Sequence, residues 1–339
     1  MDLPAAVDAL INKQDIDPDS MRSIMRTIMQ GEATQAQIGA FLVGLRMKGE
    51  SVEEIAAAAE VMRELASGVE LSDLPNTVDI VGTGGDSSNS FNISTTSMFV
   101  ASAAGCHVAK HGNRAVSSKS GSADVLEAAG IRLDLTPEQV KECVEEIGVG
   151  FMFAPMHHSA MKHAIGPRKE LGVRTVFNLL GPLTNPASAP NQVLGVFSDH
   201  WVLPLAEVLQ KLGSNHVMVV HSEDGMDEIS ISAPTKVAEL KNGKISEYTI
   251  EPEQFGLTRE KSLAIAVTNV ESSLAMMKSV LVNEQSSALD IVLLNAGSAI
   301  YVAGLADDLK SGIEKARETI ASGDAEKKLN SLIKKTNQF

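Results

Sequence analysis

The chain has 339 residues, 44% hydrophobic and 21% charged, with a formal net charge of −14 and a pI near 5.0. This length supports a substantial core and two domains, while the acidity argues against nucleic acid, whose phosphates require a broad basic face. The start Met1-Asp2-Leu3-Pro4 lacks a signal-peptide pattern, and no apolar run approaches the ~18 residues of a membrane span, so the expected compartment is the cytoplasm and no membrane partner is expected.

Residues 1–70 read as helices only. Asp17-Pro18 is a start signal, with proline at the first helical position. Thr34-x-x-Gln37 and Ser51-x-x-Glu54 are capping boxes, in which a hydroxyl and a side-chain oxygen satisfy free N–H groups reciprocally. Ile38, Phe41, Leu42 and Leu45 follow the first at helical spacing, and Ile55, Ala58, Ala59, Met62 and Leu65 follow the second. The module is too short to bury all its faces alone, so it is expected to pack on the rest of the chain or on a second copy of itself.

From Thr77 the pattern changes. Val78-Asp79-Ile80-Val81 reads as a buried strand running into the turn Gly82-Thr83-Gly84-Gly85-Asp86. Ser94-Thr95-Thr96-Ser97 offers N-cap candidates for a helix closed by Gly105. Residues 106–111 read as a second strand ending in Lys110, 124–129 and 138–147 as helices, and 216–221 as a strand. Asn242-Gly243 is a hairpin signal. The C-terminus, from Ala306, reads as a charged amphipathic helix. The expected fold is α/β: a small N-terminal all-helical domain (1–70, with a returning helical segment near 165–185) and a larger α/β domain (75–339) with a mostly parallel central sheet.

The chemistry concentrates in Lys110-His111-Gly112-Asn113-Arg114-Ala115-Val116-Ser117-Ser118-Lys119-Ser120-Gly121-Ser122. Between Asp86 and Asp124 there is no acid, yet His107, Lys110, His111, Arg114 and Lys119 all fall there. A basic island in an acidic chain suits a small anionic ligand, and two glycine-rich segments able to present N–H groups suit several phosphates. The glycine turn alone is weak evidence, because glycines also serve plain turns, and it matches neither the phosphate loop nor the dinucleotide fingerprint. Asp86 beside it suits ribose hydroxyls or a metal-bound water better than phosphate. Asn92-x-Ser94-Thr95 can cap a helix, hold a pyrophosphate or offer a hydroxyl to a metal, and these roles are compatible.

Asp227-Glu228 follow a strand and the turn Glu223-Asp224-Gly225. Adjacent loop acids are usually solvated; next to a polyphosphate site they become candidate Mg2+ ligands. Arg168, beside Pro167, offers a planar fork that matches a carboxylate, or else an interdomain ion pair. Met156-His157-His158 and His163 read as structural. Cys106 and Cys143 match neither zinc nor disulfide spacing and read as reduced helix-packing residues. No Ser-His-Asp or Cys-His pattern predicts covalent catalysis.

Taken in order, Gly82-Thr83-Gly84-Gly85-Asp86, Asn92-Ile93-Ser94-Thr95, the segment Lys110 to Ser118, Gly121 to Glu127, Arg168 to Thr175 and Asp224-Gly225-Met226-Asp227-Glu228 resemble the anthranilate phosphoribosyltransferase family across nearly the whole chain. The resemblance implies a nucleoside phosphorylase/phosphoribosyltransferase-like fold and a homodimer through the helical domain. It also implies a magnesium-dependent reaction of tryptophan biosynthesis, in which the amine of anthranilate displaces pyrophosphate at C1 of phosphoribosyl pyrophosphate. It implies that Gly82, Gly85, Asp86, Ser90, Asn92, Ile93, Ser94, Thr95, Lys110, His111, Gly112, Asn113, Arg114, Ala115, Val116, Ser117, Ser118 and Ser122 hold the phosphoribosyl substrate. Gly82, Asn113 and Arg168 would contact anthranilate. Ser94, Asp227 and Glu228 would hold Mg2+, and Lys110, Asn113 and Arg168 would carry catalysis. A nucleoside phosphorylase is disfavoured by the Lys110 segment, and a nucleic-acid-binding relative by the net charge.

Overall fold

The structure is a computed structural model that describes residues 1–86, 88–115 and 119–339. Four helices open the chain: α1 (Leu3–Ile11), α2 (Pro18–Met29), α3 (Gln35–Lys48) and α4 (Val52–Glu64). Their starts are set by local chemistry. Asp2 and Asp17 accept from Ala5 and Ser20 N–H, and both expected capping boxes form, each cap contributing about 1 kcal/mol. Glu54 serves twice. One carboxylate oxygen accepts from Ser51 N–H (2.8 Å) and Lys48 Nζ (2.9 Å), the other from Ile16 N–H (2.8 Å). A fully buried acid is tolerable because these partners replace its lost water.

The α/β region then alternates β1 (Thr77–Gly82), α5 (Ile93–Ala103), β2 (His107–Gly112), α6 (Ser122–Ala128), α7 (Pro137–Ile147) and β3 (Val149–Phe153). The chain next returns to the helical module through α8 (Ala154–His157), α9 (Lys162–Leu171) and α10 (Val176–Leu183), of which α9 packs on α2 and α3 and α10 on α3 and α4. It re-enters the sheet with β4 (Asn191–Gly195), α11 (Val202–Lys211), β5 (His216–Ser222) and the hairpin β6 (Thr235–Lys241) and β7 (Lys244–Ile250). Asn242 and Gly243 both take positive φ at the hairpin turn, as its geometry requires. Helices α12 (Val270–Leu281), α13 (Ser287–Val302), α14 (Leu309–Ala321) and α15 (Asp324–Thr336) complete the chain, so the charged C-terminus is two helices rather than one. Among the described residues, no helix is long and apolar enough to cross a membrane.

The sheet order is β3-β2-β1-β4-β5-β6-β7. The first five strands are parallel, and β6 and β7 are antiparallel. Strand alternation feeds two cores. Val193, Met218 and Val220 face the helices α5, α7 and α13, whereas Leu194, Val217 and Val219 face α11 and the core of the helical module. The module therefore does not bury itself alone; it shares one apolar cluster with the sheet.

Two expectations about helices shift. The helix after the glycine turn begins at Ile93, so Ser94 and Thr95 lie in its first turn, and Asn92, at the cap position, makes no side-chain cap. Cys106 lies just before β2 rather than on a helix; it and Cys143 are both buried, with thiols pushed up to about 12 by desolvation.

Candidate active site

Strand order reverses around β1: the next strand in sequence, β2, lies on one side and β4 on the other. In open parallel sheets the crevice beyond the carboxyl ends of such strands takes ligands. Here β1, β2 and β4 end in Gly82, Gly112 and Gly195. Gly82 and Gly195 are needed because Asp227 crosses this end of the sheet, and Gly112 because Ser122 and Phe151 fill the space of a side chain. A side chain on Gly82 would place Cβ 2.4 Å from Asp227 Oδ2, and one on Gly195 would place it 1.6 Å from the Asp227 carbonyl oxygen. The acidic loop reaches this point through a tight turn after β5, closed by Gly225 N–H to Ser222 carbonyl (2.9 Å) and by Ile229 N–H to Asn295 Oδ1 (3.0 Å).

Several sequence-predicted residues meet there. Gly84 N–H donates to Asp227 Oδ2 (2.6 Å), and Ser94 N–H to Glu228 Oε1 (3.3 Å). Lys110, nearly fully buried, donates from Nζ to Ser94 Oγ (3.2 Å) and to the Ile80 carbonyl. Burial pushes the Asp227 and Glu228 carboxyls up, the charge of Asp86 adding to the first and that of Asp227 to the second. Burial pulls the Lys110 ammonium down, against the attraction of Asp79, Glu228 and Asp227. The arrangement is electrostatically underfilled: three acids share one buried cation and few donors.

That donor chemistry fits magnesium. Asp227, Glu228 and the Ser94 hydroxyl are hard oxygen ligands, and this ion binds through one or two carboxylates while keeping water and phosphate oxygens for its other positions. Among the described residues, no three His, Cys, Asp or Glu form a closed cage, so a substrate phosphate would have to complete the shell.

Other predicted residues are engaged differently. Asn92 Oδ1 accepts from Ser120 Oγ and Ser273 Oγ (2.7 Å each), tying the glycine-rich segment to α12. Ser90 bridges to Ala266 and its Oγ accepts from Ser88 Oγ (3.1 Å), while Asp86 Oδ1 accepts from Ser88 N–H (3.1 Å). Asn113 carbonyl accepts from Ser122 Oγ and Ala123 N–H (3.2 Å each). Arg114 is ion-paired to Glu127 (2.6 Å) and Asp124 (3.2 Å). Val116, Ser117 and Ser118 lie outside the described residues. Arg168, on α9, stacks 5.1 Å from the Phe177 ring centroid and makes no ion pair among the described residues. Burial lowers its guanidinium from the ordinary value, and the structure joins it to neither Gly82 nor Asn113 by a hydrogen bond.

Four residues outside the predicted set also shape the site. Asp79 accepts from His111 N–H (3.3 Å) and Asn185 Nδ2 (2.7 Å), and burial raises it to about 6 despite Lys110. His158 faces His111 with ring centroids 5.1 Å apart; the Nε2 atoms of both are buried without a partner, and desolvation holds both rings below the usual histidine range, His158 at about 4. Arg174 donates to the Gly85 carbonyl, stacks 4.1 Å from the Phe197 ring centroid, and has its own carbonyl bonded by Arg46 of α3. Nothing local in the sequence marks these contacts, because each joins segments far apart in the chain. His157, by contrast, pairs Nδ1 with the Ser67 carbonyl (2.8 Å).

Two models of the glycosyl transferase family match, the helical bundle domain over residues 4–66 and the a/b domain over 74–326. The anthranilate phosphoribosyltransferase of Methylococcus capsulatus is 60% identical over 339 residues, covering 100% of this chain and 99% of its own. The chain belongs to the anthranilate phosphoribosyltransferase family. Solved members of the family share its shape. The Thermus thermophilus anthranilate phosphoribosyltransferase superposes with a TM-score of 0.93 at 43% identity, covering 98% of this chain and 99% of its own. The Saccharomyces cerevisiae anthranilate phosphoribosyltransferase, solved in complex with PRPP and Mg, superposes at 0.90 with 28% identity, covering 99% and 98%. As a family member the chain is an enzyme, a transferase.

Proposed function

We propose that this chain transfers the phosphoribosyl group of 5-phosphoribosyl 1-pyrophosphate to the amine of anthranilate, releasing pyrophosphate. The observation that carries the reading is the underfilled acid and cation centre at the switch point, where Asp227, Glu228, Ser94 and Lys110 converge at the start of α5. Its likeness to a relative solved with PRPP and Mg supports the same ligands here. Asp227, Glu228 and Ser94 would hold magnesium, which when bound offsets the negative charge of the pyrophosphate. Lys110 adds positive charge, and the positive end of the α5 dipole favours an anion. The glycines ending β1 and β4 let Asp227 lie against the strand ends and so hold the acid pair at the crevice. Gly85, Asp86, Ser90, Asn92, Ile93, Thr95, His111, Gly112, Asn113, Arg114, Ala115, Val116, Ser117, Ser118 and Ser122 complete the reading of the phosphoribosyl site.

The acceptor needs positioning rather than activation. An aromatic amine is uncharged at neutral pH, so its nitrogen lone pair can attack C1 directly. The C1–O electron pair leaves with pyrophosphate, and the extra proton on nitrogen passes to solvent. Arg168, without an ion pair among the described residues and partly desolvated, would take the anthranilate carboxylate in a bidentate clasp, with Gly82 and Asn113 beside it. Loss of anthranilate fluorescence on mixing tests the reaction: a decay that requires enzyme, both substrates and magnesium is expected, and a flat trace from folded protein would sink it. In the same assay, Asp227→Asn with Glu228→Gln is expected to shift the magnesium dependence, and an unchanged titration would remove the pair as ligands.

We also propose a homodimer through the helical module. Helix α3 buries Ile38, Phe41, Leu42 and Leu45 on one face, yet it carries a second apolar stripe of Ala36, Ala40, Val43 and Met47 on the other. Met47 is 79% exposed and Ile11 on neighbouring α1 is 72% exposed, a pairing that a second copy would cover. Sedimentation of the wild type against Met47→Glu is expected to show dimer and monomer respectively.

A further inference from the structure

The segment leaving β2 and entering α6 is drawn together at its neck by one carboxylate. Asp124 Oδ2 accepts from both Ala115 N–H and Gly121 N–H, each at 2.9 Å. Its other oxygen accepts from Arg114 Nη1 (3.2 Å), and Arg114 gives two further bonds to Glu127, 2.6 Å from Nη1 and 3.0 Å from Nη2. The neck is also too narrow for a side chain: a Cβ on Gly121 would lie 2.2 Å from Ala115 N. The bond to Gly121 N–H is half of a capping box, the third-position carboxylate of α6 reaching back to the cap residue's N–H, but capping that helix does not require Ala115. The second bond is what turns a cap into a clamp.

An acid in this place is otherwise unwelcome. It sits in a segment read as a phosphate site, where a free carboxylate would repel the ligand. The Arg114 guanidinium and two N–H donors consume its charge, so Arg114 is spent on neutralising Asp124 and Glu127.

We propose that Asp124 is a positioning residue for phosphoribosyl pyrophosphate, holding Asn113 to Ala115 against Gly121 and Ser122 so that both ends of the segment meet the substrate from one fixed frame. This rests on the reading of that segment as part of the phosphoribosyl site. Three variants test it: Asp124→Ala, which removes both acceptors; Asp124→Asn, whose amide oxygen still accepts both N–H groups; and Gly121→Ala, which forces the neck apart by another route. Loss of a charged acceptor of this kind is expected to raise KM for phosphoribosyl pyrophosphate by about tenfold to a hundredfold in Asp124→Ala. KM for anthranilate is expected to stay within about twofold, Asn to restore most of the loss, and Gly121→Ala to reproduce it. Equal movement of both KM values, no movement of either, or failure of Asn to rescue overturns the proposal.

Hydrogen exchange at the Ala115 and Gly121 amides separates this claim from the reading beneath it, because it needs no turnover. Faster exchange at both in Asp124→Ala, with protection kept in Asp124→Asn, supports the clamp; unchanged protection in Asp124→Ala overturns it. If the wild type fails to transfer phosphoribosyl groups, the substrate reading falls, while the exchange data still decide whether Asp124 closes the neck.

Discussion

The sheet carries two buried acid centres, and they are built on opposite principles. At the antiparallel side, Glu239 accepts from Tyr301 Oη (2.7 Å) and Tyr248 Oη (2.8 Å) and pairs with His216 Nε2 (2.8 Å), while Lys241 Nζ reaches Tyr301 Oη at 3.0 Å. Burial alone would raise Glu239, but its bonds to His216, Tyr301 and Tyr248 outweigh it and hold the carboxyl at about 2. At the switch point, burial and mutual repulsion win instead, and Asp227 and Glu228 are pushed up. A satisfied acid is a structural part; an acid left short of partners is waiting for something to bind. The first centre is expected to govern stability, the second activity.

The largest test of that division is Lys110→Met. It removes the only lysine among the described residues that is buried against the acid pair while keeping most of the volume. Loss of one preorganised charge at a departing anion is expected to lower kcat/KM by about a hundredfold to a thousandfold. Because the substitution removes one partner and leaves Asp79, Asp227 and Glu228 buried without their cation, a stability loss of about 3 kcal/mol is expected as well, so the rate is read on folded protein. A protein that unfolds easily but retains its rate would reverse the assignment.

The mirror experiment is Glu239→Ala. It strands His216, Tyr248 and Tyr301 together, and is expected to cost about 2–3 kcal/mol in a denaturant melt. The kcat of the folded enzyme is expected to be unchanged. A rate loss larger than the stability loss would mean that this centre communicates with the site.

Arginines allow the same contrast at a smaller scale. Arg114 is paired to Glu127 and Asp124, which raise it, whereas Arg168 has an aromatic neighbour and no ion pair among the described residues, and burial lowers it. Arg168→Ala is therefore expected to raise KM for anthranilate by about tenfold, the worth of a charge-assisted contact, and KM for phosphoribosyl pyrophosphate far less. Equal effects on both would remove the carboxylate-binding role.

Much of this organisation is legible in the sequence because it is local. The capping boxes at Thr34 and Ser51, the Asp17-Pro18 start and the Asn242-Gly243 hairpin each depend on residues within four positions, and the structure forms all of them. The glycines ending β1 and β2 were visible as turns, but their reason was not. Gly82 is glycine because Asp227, remote in the chain, occupies the space of a side chain. The same distance hides Asp79, Asn185 and His158, which meet Lys110 and His111 only after β1, β2 and the returning helices assemble. Helix starts erred for a related reason: Asn92 is not a cap because Ser120 and Ser273 claim its oxygen. Tertiary hydrogen bonds override local capping wherever a site recruits the cap residue.

The finest test of the comparison is pH. Glu239 has its carboxyl lowered from the ordinary 4.5 to about 2 when folded, so its contribution to stability is fully present above the unfolded value and is lost as pH falls through the folded one. Between about pH 4.5 and 2 the unfolded chain takes up a proton that the folded chain resists, and stability falls with falling pH. Tyr248, Tyr301 and Lys241 face this carboxyl and stay in their donor forms throughout that window, so they do not cancel the slope. The loss is expected to be of order 1–2 kcal/mol. Glu239→Gln, which cannot titrate, is expected to flatten the denaturation midpoint across that range relative to wild type. Asp227 and Glu228 carry the opposite sign. Their raised carboxyls let the folded chain keep protons that the unfolded chain releases, so they work against stability as pH rises above the usual carboxylate range. Wild type and Glu239→Gln showing the same slope between pH 4.5 and 2.5 would mean that the hydrogen bonds around Glu239 do not hold its charge, and the distinction between a satisfied acid and a waiting one would lose its structural half.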